Sequence, residues 1–157
     1  MSINETVASP VDQVGFDIAA WTAQLRDFLD DCAGSAPCEE IDRVREAMHL
    51  FRPDAAGSAW DGFDPAGIDA MLACGATESA ALALIGEDEV FIWSRGLGGN
   101  CLATLVMPDG SEELMCEAAT LSLALLSAYV TKLLIRLERR EQQDAAQSPE
   151  SSGLRLH

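Results

Sequence analysis

From Phe16 onward, apolar residues recur at intervals of three and four: Ile18, Trp21, Leu25, Phe28, Leu29 and Cys32. Asp27, Asp30 and Asp31 fall on the opposite side, so the spacing predicts an amphipathic helix that stops at Gly34. A second stripe follows at Ile41, Val44, Met48 and Phe51, with Pro37, Glu39 and Glu40 placed where a helix start favours proline and carboxylates. Two such helices with a short link predict an antiparallel hairpin over 16–51. Arg52-Pro53 ends it, because the residue before a proline resists the α region.

Asp54 to Phe63 reads as a connector rich in Gly, Ala, Ser and Asp. Asp64-Pro65 then supplies a cap and a first helical residue for a short third helix, with Ile68, Met71 and Leu72 inward and Gly75 at its end. Ser79 to Ile85 is apolar at nearly every position, which suits a strand buried on both faces or an alanine-rich helix. The strand is preferred because clearer β signals follow it, and Leu82, Leu84 and Ile92 are expected in the core. Those signals are Val90 to Trp93, Cys101 to Met107 and a short edge run, Glu112 to Cys116. Gly86 to Glu89, Arg95 to Asn100 and Pro108-Asp109-Gly110 separate them as turns.

The last element is a helix expected from Glu117 to Arg140. Its first 14 residues after Glu117, Ala118 to Thr131, carry no charge. That is short of the ~20 apolar residues that span a bilayer, so no membrane insertion is expected. The whole is an α+β domain over 16–140, with the sheet and its helix over 64–140. Residues 1–15 are expected to be a flexible N-terminus, and 141–157 a disordered tail. An apolar helix with no remaining amphipathic partner predicts an uncovered stripe at Leu121, Leu125, Tyr129 and Leu133, hence a homo-oligomer, a dimer first of all.

Composition narrows the function classes. The net charge is −16, concentrated before Val90, which argues against nucleic-acid binding and suits solubility or a basic protein partner. The five cysteines, Cys32, Cys38, Cys74, Cys101 and Cys116, show no Cys-x-x-Cys, and the apolar settings of Cys74 and Cys101 suggest core residues. Free thiols and an N-terminus without a basic and apolar leader point to the cytoplasm.

Each candidate for chemistry has a structural reading that fits better. Arg95-Gly-Leu-Gly-Gly-Asn100 lies between strands, so no helix dipole aims at a phosphate and a hairpin turn accounts for the glycines. Asp54, Asp61 and Asp64 lack the spacing of a calcium loop, and Asp64 is a cap. Glu112, Glu113 and Glu117 suit a helix start. His49 is expected to be a partly buried structural histidine. From Pro65 onward the order helix–strand–strand–strand–helix resembles that of double-stranded-RNA-binding domains. Those three glutamates stand where such domains carry bases, so the resemblance implies no RNA contact here. No catalytic, cofactor-binding or metal-binding residue is assigned. The expectation is a non-catalytic protein-interaction or regulatory domain. The alternatives are a small enzyme using carboxylates or Cys101 and Cys116 between sheet and helices, and an acidic charge mimic.

Overall fold

The computed structural model describes residues 17–51 and 63–148. Every residue from Ser122 to Val130 is buried, inside a helix, α5, that runs Leu121–Gln147. Thr120 caps it: the hydroxyl accepts the Leu123 N–H at 3.2 Å, satisfying one of the donors that a helix start leaves open. A helix that is apolar all round needs neighbours all round. They are α1 (Ile18–Gly34), α2 (Glu40–Leu50) and α4 (Thr77–Ile85), together with strands β2 (Cys101–Val106) and β3 (Glu113–Ala118). Among the described residues the architecture is α+β, five α-helices with a three-stranded antiparallel sheet against which the long C-terminal helix packs.

The helical hairpin forms as its periodicity predicts. Asp17 caps α1 through the Ala20 N–H at 3.1 Å, and Trp21, Leu25, Phe28 and Cys32 make the buried stripe, while Ile18 is exposed. A 3-10 turn, Pro37–Glu39, leads into α2, and the Glu39 carboxylate accepts the Ala36 N–H at 2.8 Å. In α2 the core residues are Val44 and Ala47, with Phe51 just beyond and Met48 half-buried. The Trp21 indole donates to the Leu50 carbonyl at 3.0 Å, tying the two helices at their open end. The Phe51 ring meets Phe28 and Tyr129 edge-on, at 6.4 and 5.2 Å between centroids, so the hairpin locks onto α5 through aromatic contacts.

Helix α3 (Pro65–Ala73) starts at the Asp64 cap, whose carboxylate accepts the Ala66 N–H at 3.1 Å. It ends at Gly75, where φ is +80° and Ala76 N–H reaches back to the Met71 carbonyl at 2.8 Å. The next segment departs from expectation. Residues 79–85 are not a strand but most of α4. Its buried residues, Thr77, Ala80, Ala81, Leu84 and Ile85, fall at i, i+3, i+4, i+7 and i+8, a helical stripe. With Leu82 and Ala83 apolar too, period alone does not separate the two forms over 80–85. The alanines decide, because they favour a helix and add nothing to a pleated surface.

The sheet is a meander in the order β1-β2-β3, where β1 is Phe91–Arg95. Phe91 pairs with Leu105 and Leu105 with Leu114; Trp93 pairs with Ala103 and Ala103 with Cys116. The glycine-rich run is the β1–β2 turn, closed by Gly96 N–H to Asn100 O at 2.8 Å. Residues Glu117 and Ala118, expected to open the last helix, instead end β3. At its other end α5 continues past Arg140 to Gln147, although residues 141–148 are all exposed. No helix among the described residues is long and apolar enough to cross a membrane.

Candidate interaction surface

Alternation along the strands sends Cys101, Ala103, Leu105 and Met107 into the core, where all four are buried. The intervening positions form the opposite face: Ile92 and Ser94 on β1, Leu102, Thr104 and Val106 on β2, Glu113, Met115 and Glu117 on β3. Val90 continues it, its carbonyl accepting the Val106 N–H at 2.9 Å. No described element covers this face. Val90, Ile92 and Met115 are 64%, 67% and 63% exposed, and Leu102, Thr104 and Val106 half-buried between them. An open sheet face is ordinarily polar, and a contiguous apolar patch on one marks a contact surface. Ile92, expected in the core, is thus a surface residue. The misread α4 explains the error, since the strand expected to flank β1 does not exist.

Charge on this face has one sign. Glu113 and Glu117 are its only ionisable groups, and Glu117 accepts a hydrogen bond from the Asn100 amide at 2.8 Å. Glu87 and Asp88 lie exposed in the turn before β1. On the core side of β1 the Phe91 and Trp93 rings lie 5.2 Å apart, with Trp93 still 39% exposed.

The turn before β1 is pinned from within. Lys132 of α5 is 2% exposed and its ammonium donates to both carboxylate oxygens of Glu89, with Nζ 2.5 Å from Oε1. Burying a charge requires a partner of this kind. Burial, helped by the Glu89 charge, also pushes the Tyr129 hydroxyl well above its ordinary pKa. In the sequence Lys132 stands out only as the residue that ends the uncharged run Ala118 to Thr131. Its position three residues after Tyr129 and seven after Leu125 places it on a buried stripe, and that spacing was the available signal.

The residues expected to form an open stripe on the last helix do not form one. Leu125, Tyr129 and Leu133 are buried by the chain's own elements and Leu121 is half-buried, because α1, α2 and the unforeseen α4 surround them. The other candidates are dispersed. Asp54 and Asp61 lie outside the described residues. Glu112 pairs with Arg139 at 2.7 Å, and Glu113 is exposed. His49 is exposed, not partly buried. Cys101 is buried as expected, but Cys74 is exposed, as is Cys38. Cys116 touches the Thr131 hydroxyl at 3.7 Å. Cys32 is buried, and that burial pushes its thiol up to about 12, against the opposing charge of Arg43. Among the described residues no three His, Cys, Asp or Glu side chains come together as metal ligands would. Compared with protein-family models, with curated proteins and with solved structures, the chain matches none.

Proposed function

We propose that this chain is a non-catalytic protein-interaction module that takes a basic partner on the open face of its sheet. The observation that carries the reading is the exposure of Val90, Ile92 and Met115 on one face, with Leu102, Thr104 and Val106 half-buried between the outer strands and without a single lysine, arginine or histidine. A largely apolar face with carboxylates along its β3 margin and in the turn before β1 selects a segment with an apolar stripe and flanking cations, and the net charge of −16 adds long-range attraction to it. Asp64 in a helix cap, Glu117 bonded to Asn100, Glu112 paired with Arg139, and Cys32 and Cys101 in the core support binding over catalysis. Unpaired cysteines, two of them exposed, support a reducing, cytoplasmic setting.

The test is an NMR titration of isotope-labelled protein with an amphipathic leucine–lysine peptide at physiological salt, beside its leucine–glutamate counterpart. Shifts should concentrate at Ile92, Thr104 and Met115 with the lysine peptide and be absent with the glutamate one. The double variant Ile92→Glu, Met115→Glu should lose the response and keep its helical circular dichroism. Shifts confined to the helical side, or an unaltered response in the variant, would overturn the reading.

A further inference from the structure

Strand β1 has the composition of a strand from the middle of a sheet, yet it stands at an edge. Val90, Phe91, Ile92 and Trp93 put apolar side chains on both of its faces, and its one charged residue is Arg95. In an antiparallel ladder, positions bonded to the neighbour alternate with positions whose N–H and C=O turn away. Val90 O and Gly96 N are bonded to the β2 side, so the even positions face β2. The backbone groups of Phe91, Trp93 and Arg95 therefore point outward along a free edge. Among the described residues no strand pairs with that edge, and β1 contains neither proline nor glycine to block it. The opposite edge, β3, carries Glu113 and Glu117, the kind of charge that discourages pairing.

We propose that the free edge of β1 pairs with the same edge of a second copy of this chain, antiparallel about a twofold axis, joining two three-stranded sheets into one. Charge placement selects this occupant. Arg95 lies at one end of the strand and the Glu87-Asp88 turn just beyond the other. An antiparallel pairing sets each Arg95 beside the other copy's acidic turn, whereas a parallel one sets Arg95 against Arg95. The strand is thus self-complementary in a twofold arrangement, as an isologous interface requires. The local pairs offset part of the repulsion between two chains of charge −16, a repulsion that physiological salt screens beyond about 8 Å. Phe91 and Trp93 gain cover at the seam, and the open apolar face becomes twice as wide. This pairing uses the backbone edge, and so stands apart from the partner reading of the face.

Sedimentation equilibrium on the full chain tests it, with charge-swapped variants. The wild type should approach twice its 16.8 kDa over the micromolar range at physiological salt. Arg95→Glu alone, and the double variant Glu87→Arg, Asp88→Arg, should each weaken self-association by about tenfold or more. An equimolar mixture of the two variants should regain the dimer, because every cross-pair is then attractive. All these residues are exposed, so melting temperatures should stay close to the wild type's, apart from the shift due to dissociation. Amide exchange at Phe91, Trp93 and Arg95 should slow as wild-type concentration rises. A 16.8 kDa species throughout, a dimer indifferent to both variants, or a mixture that stays monomeric would each overturn the proposal. Because Ile92 and Met115 are untouched, a failure here leaves the face reading standing, and the reverse also holds.

Discussion

Lys132 and Cys32 show how the fold sets the chemistry of single residues. Lys132 holds a full charge in the core only because Glu89 meets it there. Replacing it with methionine should cost about 3 kcal/mol, mostly from stranding the Glu89 carboxylate. The double variant Lys132→Met, Glu89→Leu should recover much of that loss in urea unfolding. Cys32 has the opposite preference, since burial favours its neutral thiol and lifts its pKa from 9.0 to about 12. The unfolded chain therefore releases this proton at lower pH than the folded one. Stability is whole below pH 9 and declines from there to about pH 12, by at most about 1.4 kcal/mol per pH unit. Tyr129, also raised, adds to the decline at still higher pH. Urea midpoints measured from pH 8 to 10.5 check this, and Cys32→Ala should flatten the slope. The burial of both was legible in the spacing of their helices, but the charges that meet them, Glu89 and Arg43, were not, because each lies on another element.

At the scale of elements, local chemistry was a good guide wherever it had punctuation. The Asp64-Pro65 start, the Gly75 stop and the Pro108-Asp109-Gly110 turn each sit where the sequence places them. The signal failed where apolar residues ran without interruption. Ala80 to Ile85 offers no polar position to report a period, and the neighbouring strands favour a β reading. As a helix, α4 makes a definite prediction: Ala83→Gly should destabilise by about 1 kcal/mol through helix propensity alone, with Ala83 half-buried. In a strand glycine would cost about as much, so the discriminating control is Ala83→Val, which a helix disfavours and a strand favours. Thermal denaturation should show both variants destabilised. The start of α5 was misplaced for a related reason. The carboxylate of Glu117 looked like a helix-start charge, but the stronger capping chemistry lay three residues on, at Thr120.

For the molecule as a whole, the sequence showed how much apolar surface exists and not where the cover falls short. It pointed to α5 as underdressed, whereas three helices and the near side of the sheet bury it from Ser122 to Val130, and the sheet is bare on its far side. A pattern read along the chain cannot weigh one uncovered face against another, since both depend on how many helices there are to share. The dominance of α5 also has a consequence for how the chain is made. The hairpin α1–α2 is synthesised early, but its buried residues Leu25, Phe28 and Val44 belong to one core with Leu126 and Val130. At ~5–20 residues per second, roughly 4–16 s separate the translation of Leu50 from that of Val130. Through that interval the nascent hairpin has α4 but not α5 to close against. Its other face carries Asp27, Asp30 and Asp31, all exposed, so only the apolar side of the nascent hairpin needs shelter until the helix that completes the core has left the ribosome.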